Sequence, residues 1–474
     1  MVFSSVIFLF YFLPATLGVY FIVKKELRNA VLLLASLFFY AWGEPEFVVI
    51  LLLSIFINYL AGIGIHVFRE SGNAKWIMAF GVFANLSILF FYKYIDFTIQ
   101  ILNQLSAKII PGYPARSPLG IALPIGLSFF TFQGLSYVID VYRNTVPVQK
   151  NPLHIALYIS MFPQLVAGPI VRYSDIAPEI ASRTSKLEDL SIGFQRFIIG
   201  LSKKVIIADI LASVSDQIFS KPLEQLTTSV AWLGIICYTF QIFFDFSGYS
   251  DMAIGLGRIF GFRFMENFNL PYISCSVSEF WRRWHISLST WFRDYLYIPM
   301  GGNRKGNVYI HLLVVFFCTG LWHGAALTFI VWGLWHGMFL VLERVGRLKG
   351  YTAPFPRCVR WGYTAFVVII GWVLFRSSDL AYAAGFLRTM CGICSPDFKF
   401  FSLAYYLDNQ IIFTLAAALI VSVGIPGKIM SCLQKKKWEH MWEHIKMFVY
   451  WFLLLCCIAM IVNGNYSPFI YFRF

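Results

Sequence analysis

A chain of 474 residues that is 58% hydrophobic, 19% aromatic and only 13% charged, with a mean hydropathy of +0.68, does not have the composition of a soluble globule. Its 38 basic and 24 acidic residues leave a formal charge of +14. The basic residues sit in short clusters between apolar runs, which fits the cytoplasmic lysine and arginine excess of membrane proteins better than a nucleic-acid surface.

A bilayer core of about 30 Å takes roughly 20 apolar residues per helix, and apolar runs recur along the whole chain: 3–23, 29–42, 46–66, 76–95, 120–139, 153–171, 191–212, 229–256, 308–342, 361–375, 411–427 and 447–462. The first has no basic residues ahead of it and no small-residue cleavage site, so it is expected to remain as a span rather than be removed as a signal peptide. Between the runs, 96–119 is expected to be a Pro/Gly-bearing loop, 213–228 a polar connector and 257–307 a long non-spanning insertion. No loop is long enough for a soluble domain. Basic clusters at Lys24, Lys25 and Arg28, at Arg344 to Arg360 and at Lys428 to Lys446 are expected in the cytoplasm, which places both termini on the other side.

The run FQIFFDFSGYSDMAIGLG (240–257) begins as a span and yet carries Asp245 and Asp251. An ionisable group at mid-membrane costs about 2.5–3.5 kcal/mol on insertion scales unless it is paired or wetted. Pairing with Arg258, Arg263 or helix ends is one reading, a functional role the other, and Ser247, Gly248 and Tyr249 suggest a kink between them. In the insertion, a helix over Phe280–Tyr297 would gather Trp281, Trp284, Leu288, Trp291, Phe292 and Tyr295 on one face with His285 at its edge. The opposite face is too charged to span, so an interfacial helix or one dipping into a polar funnel is expected.

The run 308–342 holds no Asp, Glu, Lys or Arg. As one straight helix it would be about 52 Å long, so it must turn. TGLWHGAA offers Gly320 and Gly324 for the turn, and irregular backbone at that depth belongs beside a protein-lined cavity, which His323 would face. A neutral imidazole can take a proton from a hydroxyl, so His323 and His285 are candidates for catalysis, against a hydrogen-bonded core role for the first and a headgroup contact for the second. His311 and His336 read as structural, and His66, His154, His440 and His444 need no function. Cys391 and Cys394 form a lone CxxC without the four ligands of a structural zinc site, and His285, His323 and His336 lack metal-ligand spacing, so no metal is expected. No nucleophile elbow occurs, and GLGRIFG (255–261) follows no strand.

Six ordered stretches carry a resemblance: LPIGLSFFTFQGLSYVIDVYR (123–143), FPQLVAGPIVRY (162–173), FFDFSGYSDMAIGLGRIFGF (243–262), EFWRRWHISLSTWFRDYLYIPMGGNR (279–304), GLWHGAALTFIVWGLWHG (320–337) and SPFIYFRF (467–474). Together they resemble the membrane-bound O-acyltransferases (MBOAT), in particular the branch of bacterial polysaccharide O-acetyltransferases typified by the alginate O-acetylation proteins. The resemblance implies an all-α polytopic membrane fold, a single domain over 1–474 with about 11–13 transmembrane helices and re-entrant or interfacial helices around a central tunnel. It places the family's catalytic histidine at His323 and the second active-site position at His285, and makes Asp245, Ser247, Tyr249 and Asp251 polar groups that buttress the tunnel.

The chemistry the resemblance implies is transfer of an acetyl group from a cytoplasmic donor, acetyl-CoA. His323 would activate a hydroxyl, His285 would orient the donor carbonyl or its oxyanion, and Arg282, Arg283, Arg304 and Lys305 would bind the coenzyme A phosphates. Implied with it are a bacterial inner-membrane location, a polysaccharide acceptor, and an extracytoplasmic acetyltransferase or membrane-anchored relay protein as partner. Docking to that partner could use Trp42, Tyr466 and Phe469 to Phe474, which equally suit a lipid-facing aromatic belt. The D-alanyl branch, which loads teichoic acid from a carrier protein, is the second reading, and a lipid or glycan transporter the third.

Overall fold

The computed structural model describes residues 1–110, 114–348, 355–393, 401–427, 429, 439–464 and 469, and of 439–443 the backbone alone. Cys394, Tyr466, residues 470–474, 349–354 and most of the 428–446 basic cluster lie outside the described residues. Every regular element among those described is helical. Among the described residues, six helices are long and apolar enough to cross a bilayer: Pro45–Val67, Ala74–Ile109, Thr228–Ile259, Leu327–Leu348, Arg357–Arg376 and His444–Val462. Three shorter ones, Phe8–Ile22, Val308–His323 and Asn409–Ser422, are also apolar. The chain divides into two compact units, Met1–Leu190 with Leu256–Met265, and Ser191–Gly255 with Glu266–Phe474.

The first unit is built on aromatic packing. Phe3, Phe8, Phe12 and Phe39 gather around Phe162, which also meets Phe260 edge-on at 5.7 Å between centroids. Arg183 fixes the same corner, its Nε donating to the Tyr20 hydroxyl at 3.0 Å and to the Phe260 carbonyl at 2.9 Å. The helices Val48–Val67 and Ala74–Ile109 are joined by a reciprocal amide pair, Asn58 with Asn85, at 3.1 and 3.0 Å, which satisfies two fully buried amides. Residues 96–109 are helix and not the expected loop. No glycine or proline interrupts the chain between Gly81 and Pro111, so the helix runs for 36 residues. Asp96 then receives the returning chain, accepting from Leu119 N at 2.6 Å and Gly120 N at 2.9 Å.

In the second unit, the helix ending at Ser202 passes through a wide turn, Lys203–Ala208, into Asp209–Phe219 without a break. Half of the expected 213–228 connector is therefore helical. Beside it lies Thr228–Ile259, 78% buried over its apolar window, and this helix is continuous where a kink was expected. Gly248 serves close approach instead: a Cβ there would fall 2.7 Å from the Gly200 carbonyl oxygen, and one at Gly200 2.5 Å from that of Gly248. The run 308–342 makes a tight helical hairpin, Val308–His323 and Leu327–Leu348, parted at Gly324, whose extended backbone (φ −169°) stops the first arm. Cβ atoms at Gly320 or Gly333 would collide with the Phe329 and Phe316 carbonyl oxygens, so small residues let the arms touch, as in membrane helix pairs generally.

Candidate active site

The insertion does not form the single helix expected over Phe280–Tyr297. It makes two short helices, Val277–Arg283 and Ile286–Phe292, followed by a wide turn, Arg293–Tyr297. The start of the first is tied down by Ser276 Oγ, which accepts from Glu279 N at 3.0 Å, and by the Glu343 carboxylate, which accepts from Ser278 N at 3.0 Å and Ser278 Oγ at 2.6 Å. A carboxylate at a helix N-terminus complements the free N–H groups there. Because Glu343 lies on the second arm of the hairpin, it fastens the insertion to that arm.

The break falls on His285, whose φ of +44° is in the left-handed region that non-glycine residues rarely adopt. The distortion turns its ring inward. His285 is fully buried and not at the edge of an interfacial helix, so a headgroup contact is ruled out. The Phe246 ring stands edge-on to it at 4.6 Å and Trp322 at 5.8 Å. Asn267, also fully buried, supplies the polar contact: its Oδ1 lies 3.1 Å from His285 Nδ1 and accepts from Ser287 N at 3.2 Å and Ser287 Oγ at 2.9 Å. Asn267 Nδ2 donates to Ser250 Oγ at 3.0 Å, and Asn267 O accepts from Ile286 N at 2.9 Å. His285 Nε2 has no hydrogen-bond partner among the described residues. Burial pushes the imidazole down to about 3, so it is neutral at physiological pH.

His323 ends the first arm of the hairpin and is 4% exposed. Its ring stands edge-on to Trp322 at 5.0 Å, Trp332 at 4.9 Å and Phe375 at 5.2 Å. Trp322 thus touches both histidines, which places His285 and His323 around one indole although 38 positions part them in sequence. Trp332 in turn contacts His336 at 5.4 Å, and His336 is walled in by Trp281 and by Gly371, where a Cβ would fall 2.6 Å from Nε2. His311 binds the Gly302 carbonyl through Nδ1 at 3.1 Å and holds the turn after the insertion.

The carboxylates of the 240–257 run are paired, but not with the partners the sequence suggested. Lys204 Nζ bridges Asp245 at 2.6 Å and Asp209 at 2.7 Å, all three side chains at most 9% exposed. Asp251 takes Arg196 and Lys203, each at 2.6 Å. Arg258 goes to Asp189 instead, and Arg263 N donates to Glu179. On the helix Thr228–Ile259, Phe246 and Ser250, four residues apart and hence on one face, serve His285 and its Asn267, while Asp245 and Asp251 serve the charged helix 191–219. Ser247 is buried, and buried Tyr249 packs edge-on against Phe469 at 4.7 Å, with Lys204 Nζ 4.6 Å from the same ring. Of the four basic residues expected at a donor, Arg282, Arg304 and Lys305 are exposed. Arg283 is engaged by Glu279 at 3.0 Å and the Asn269 carbonyl at 3.1 Å. No group of three His, Cys, Asp or Glu side chains among the described residues is arranged to hold a metal ion.

A family model for membrane-bound O-acyltransferases matches residues 36–384. The chain belongs to the MBOAT family. It is therefore an acyltransferase, and its all-helical, multi-pass character is that of the family. It is 46% identical over 388 residues to a probable alginate O-acetylase AlgI of Pseudomonas putida, covering 81% of this chain and 79% of that one. A peptidoglycan O-acetyltransferase of Helicobacter pylori is 34% identical over 100% of this chain and 98% of its own. A teichoic acid D-alanyltransferase of Bacillus subtilis is more distant, 29% identical over 56% of this chain and 67% of its own.

Asn267, Ser250 and Ser287 were missed by sequence reasoning. Ser250 and Ser287 lie in stretches singled out there, but Asn267 does not, and an asparagine in a connecting segment carries no sign that it will be buried against a histidine. The double break of the insertion was hidden as well, since His285 is not a residue type that announces a positive φ.

Proposed function

We propose that this MBOAT acyltransferase moves acetyl groups from acetyl-CoA on the cytoplasmic side, across the inner membrane of a bacterium, for O-acetylation of an exported or cell-wall polysaccharide. The observation that carries this reading is the pair of buried imidazoles, His323 and His285, around Trp322 in a chain whose near relatives bear the names of O-acetylases. His323 takes the proton of the acceptor hydroxyl as the oxygen attacks the thioester carbon; the C–S bond breaks, and the thiolate recovers the proton. His285 holds the donor in the same space. Exposed Arg282, Arg304 and Lys305 suit the coenzyme A phosphates, with Arg283 a weaker contributor because it is already bound.

A long hydrated polymer is a poor guest for a site buried among aromatic side chains, so the acetyl group is handed to an extracytoplasmic acetyltransferase or a membrane-anchored relay protein that modifies the glycan. Both termini face that side, as the basic cluster after the first span requires. D-alanyl transfer is the weaker alternative, since the relative that bears that name aligns over little more than half of the chain.

The test is reconstitution in liposomes with labelled acetyl-CoA inside. Label should leave coenzyme A and appear as ester outside only when a relay protein is supplied with the polysaccharide. Transport of intact glycan or lipid without loss of thioester would overturn the reading, and efficient acetylation of polysaccharide by this protein alone would remove the relay. Reporter fusions at Met1 and Phe474 check the topology, which a cytoplasmic signal at either end would contradict.

A further inference from the structure

Buried polar groups are almost always hydrogen-bonded, which makes the two nitrogens of His285 unlike each other in an informative way. Nδ1 faces Asn267 Oδ1 at 3.1 Å, while Nε2 has no partner among the described residues and is fully buried. Which end of the Asn267 amide faces the ring is settled by its surroundings. The Ser287 backbone N–H, which can only donate, points to the same Asn267 atom at 3.2 Å, so that atom is the carbonyl oxygen. The amide nitrogen then meets Ser250 Oγ, an acceptor. An oxygen facing Nδ1 needs a hydrogen there, and a neutral imidazole has one hydrogen to place.

We propose that Asn267 is a positioning residue that holds His285 as the Nδ1–H tautomer, so that Nε2 meets the substrates as a hydrogen-bond acceptor and not as a donor to the thioester oxygen. This rests on the acyl-transfer reading above and changes one part of it: His285 does not stabilise the oxyanion. Its lone pair fits an N–H group, and the pantetheine arm of a thioester donor, common to coenzyme A and to carrier proteins, offers amide N–H groups near the thioester. The proton of the attacking hydroxyl is then left to His323. The side chains that hydrogen-bond to the His285 ring or stand against it edge-on among the described residues, Asn267, Ser287, Phe246 and Trp322, bear no charge, and burial keeps the imidazole neutral, so the lone pair persists across the physiological range.

Solid-state 15N NMR of histidine-labelled protein, with His285 assigned by the signal lost in His285→Gln, tests the tautomer without using activity. A bare Nε2 and a protonated Nδ1 are expected, and a hydrogen on Nε2 would overturn the proposal. In turnover, Asn267→Leu should lower kcat/KM for the donor at least tenfold. Asn267→Asp, which keeps an acceptor opposite Nδ1, should recover most of it and move the acidic limb of the pH profile upward, because a carboxylate raises the imidazole pKa and protonation removes the lone pair. If Asn267→Leu is not folded, the NMR result and the Asn267→Asp profile decide; an Asn267→Asp profile identical to wild type would count against positioning. A wild-type protein with the expected tautomer but no acetyl transfer would instead refute the functional reading alone.

Discussion

Asp245 and Asp251 lie 2.6 Å from ammonium and guanidinium groups, whereas His285 and His323, as deeply buried, lie against aromatic rings, the first with the neutral Asn267 amide and Ser287 hydroxyl at its Nδ1. Both sets belong to the second unit, and the helix Thr228–Ile259 serves both. The difference separates two jobs. A buried charge is tolerated only when it is paired, and a pair so formed fixes helices against each other. A neutral imidazole can be buried among apolar side chains at much lower cost and keep a lone pair for chemistry. On the function proposed above, the carboxylates would hold the frame and the histidines would carry the chemistry.

The sharpest way to break this comparison is to remove a partner from the charged side. Lys204→Met takes away the ammonium that bridges Asp245 and Asp209, and loss of one partner from a buried ion pair typically costs about 3–5 kcal/mol. The variant should be scarce in membranes and melt well below wild type in detergent, whereas Asp209→Asn, which leaves one cation with one carboxylate, should melt near wild type. Normal melting of Lys204→Met would show that the cluster does not hold the frame.

Which parts of this contrast were legible beforehand follows from the physics. Composition and run length are enough for a helical membrane protein, since helix-length apolar runs leave few alternatives. An uncharged run too long for one crossing has to turn, and glycine is where it turns. The partners of Asp245 and Asp251 were not legible, because local charges such as Arg258 compete with distant ones and only packing decides. The helix Leu187–Ser202 and its continuation present Arg196, Lys203 and Lys204 to the carboxylates through a Gly200–Gly248 contact that no periodicity reveals. Asn267 is hidden for the same reason.

A smaller effect should come from the exposed basic residues. Reversing Arg304 and Lys305 to glutamate together should raise the KM for acetyl-CoA roughly fivefold at constant kcat, since exposed charge pairs contribute about 0.2–1 kcal/mol each. The effect should fade as salt screens it. A fall in kcat with unchanged KM would place these residues in folding or chemistry. Smallest of all should be Glu266→Gln. Glu266 pairs with the same Arg196 that binds Asp251, but its side chain is 56% exposed against 7% for Asp251, so its loss should cost less than about 1 kcal/mol in a detergent melting series. Asp251→Asn in the same series should cost more, and equal shifts would mean that burial does not set the worth of these pairs.

The central claim is that the buried imidazoles carry out acyl transfer, and it is tested most directly at His323. Purified wild type, His323→Ala and His323→Gln, reconstituted with labelled acetyl-CoA and the acceptor on which wild type is active, should be compared for ester formed per unit of folded protein. Both variants should fall by about 10²–10⁴, the usual contribution of a positioned base, while His323→Gln, which keeps most of the side-chain volume, melts like wild type. A folded His323→Gln that retained a tenth or more of wild-type turnover would contradict the account.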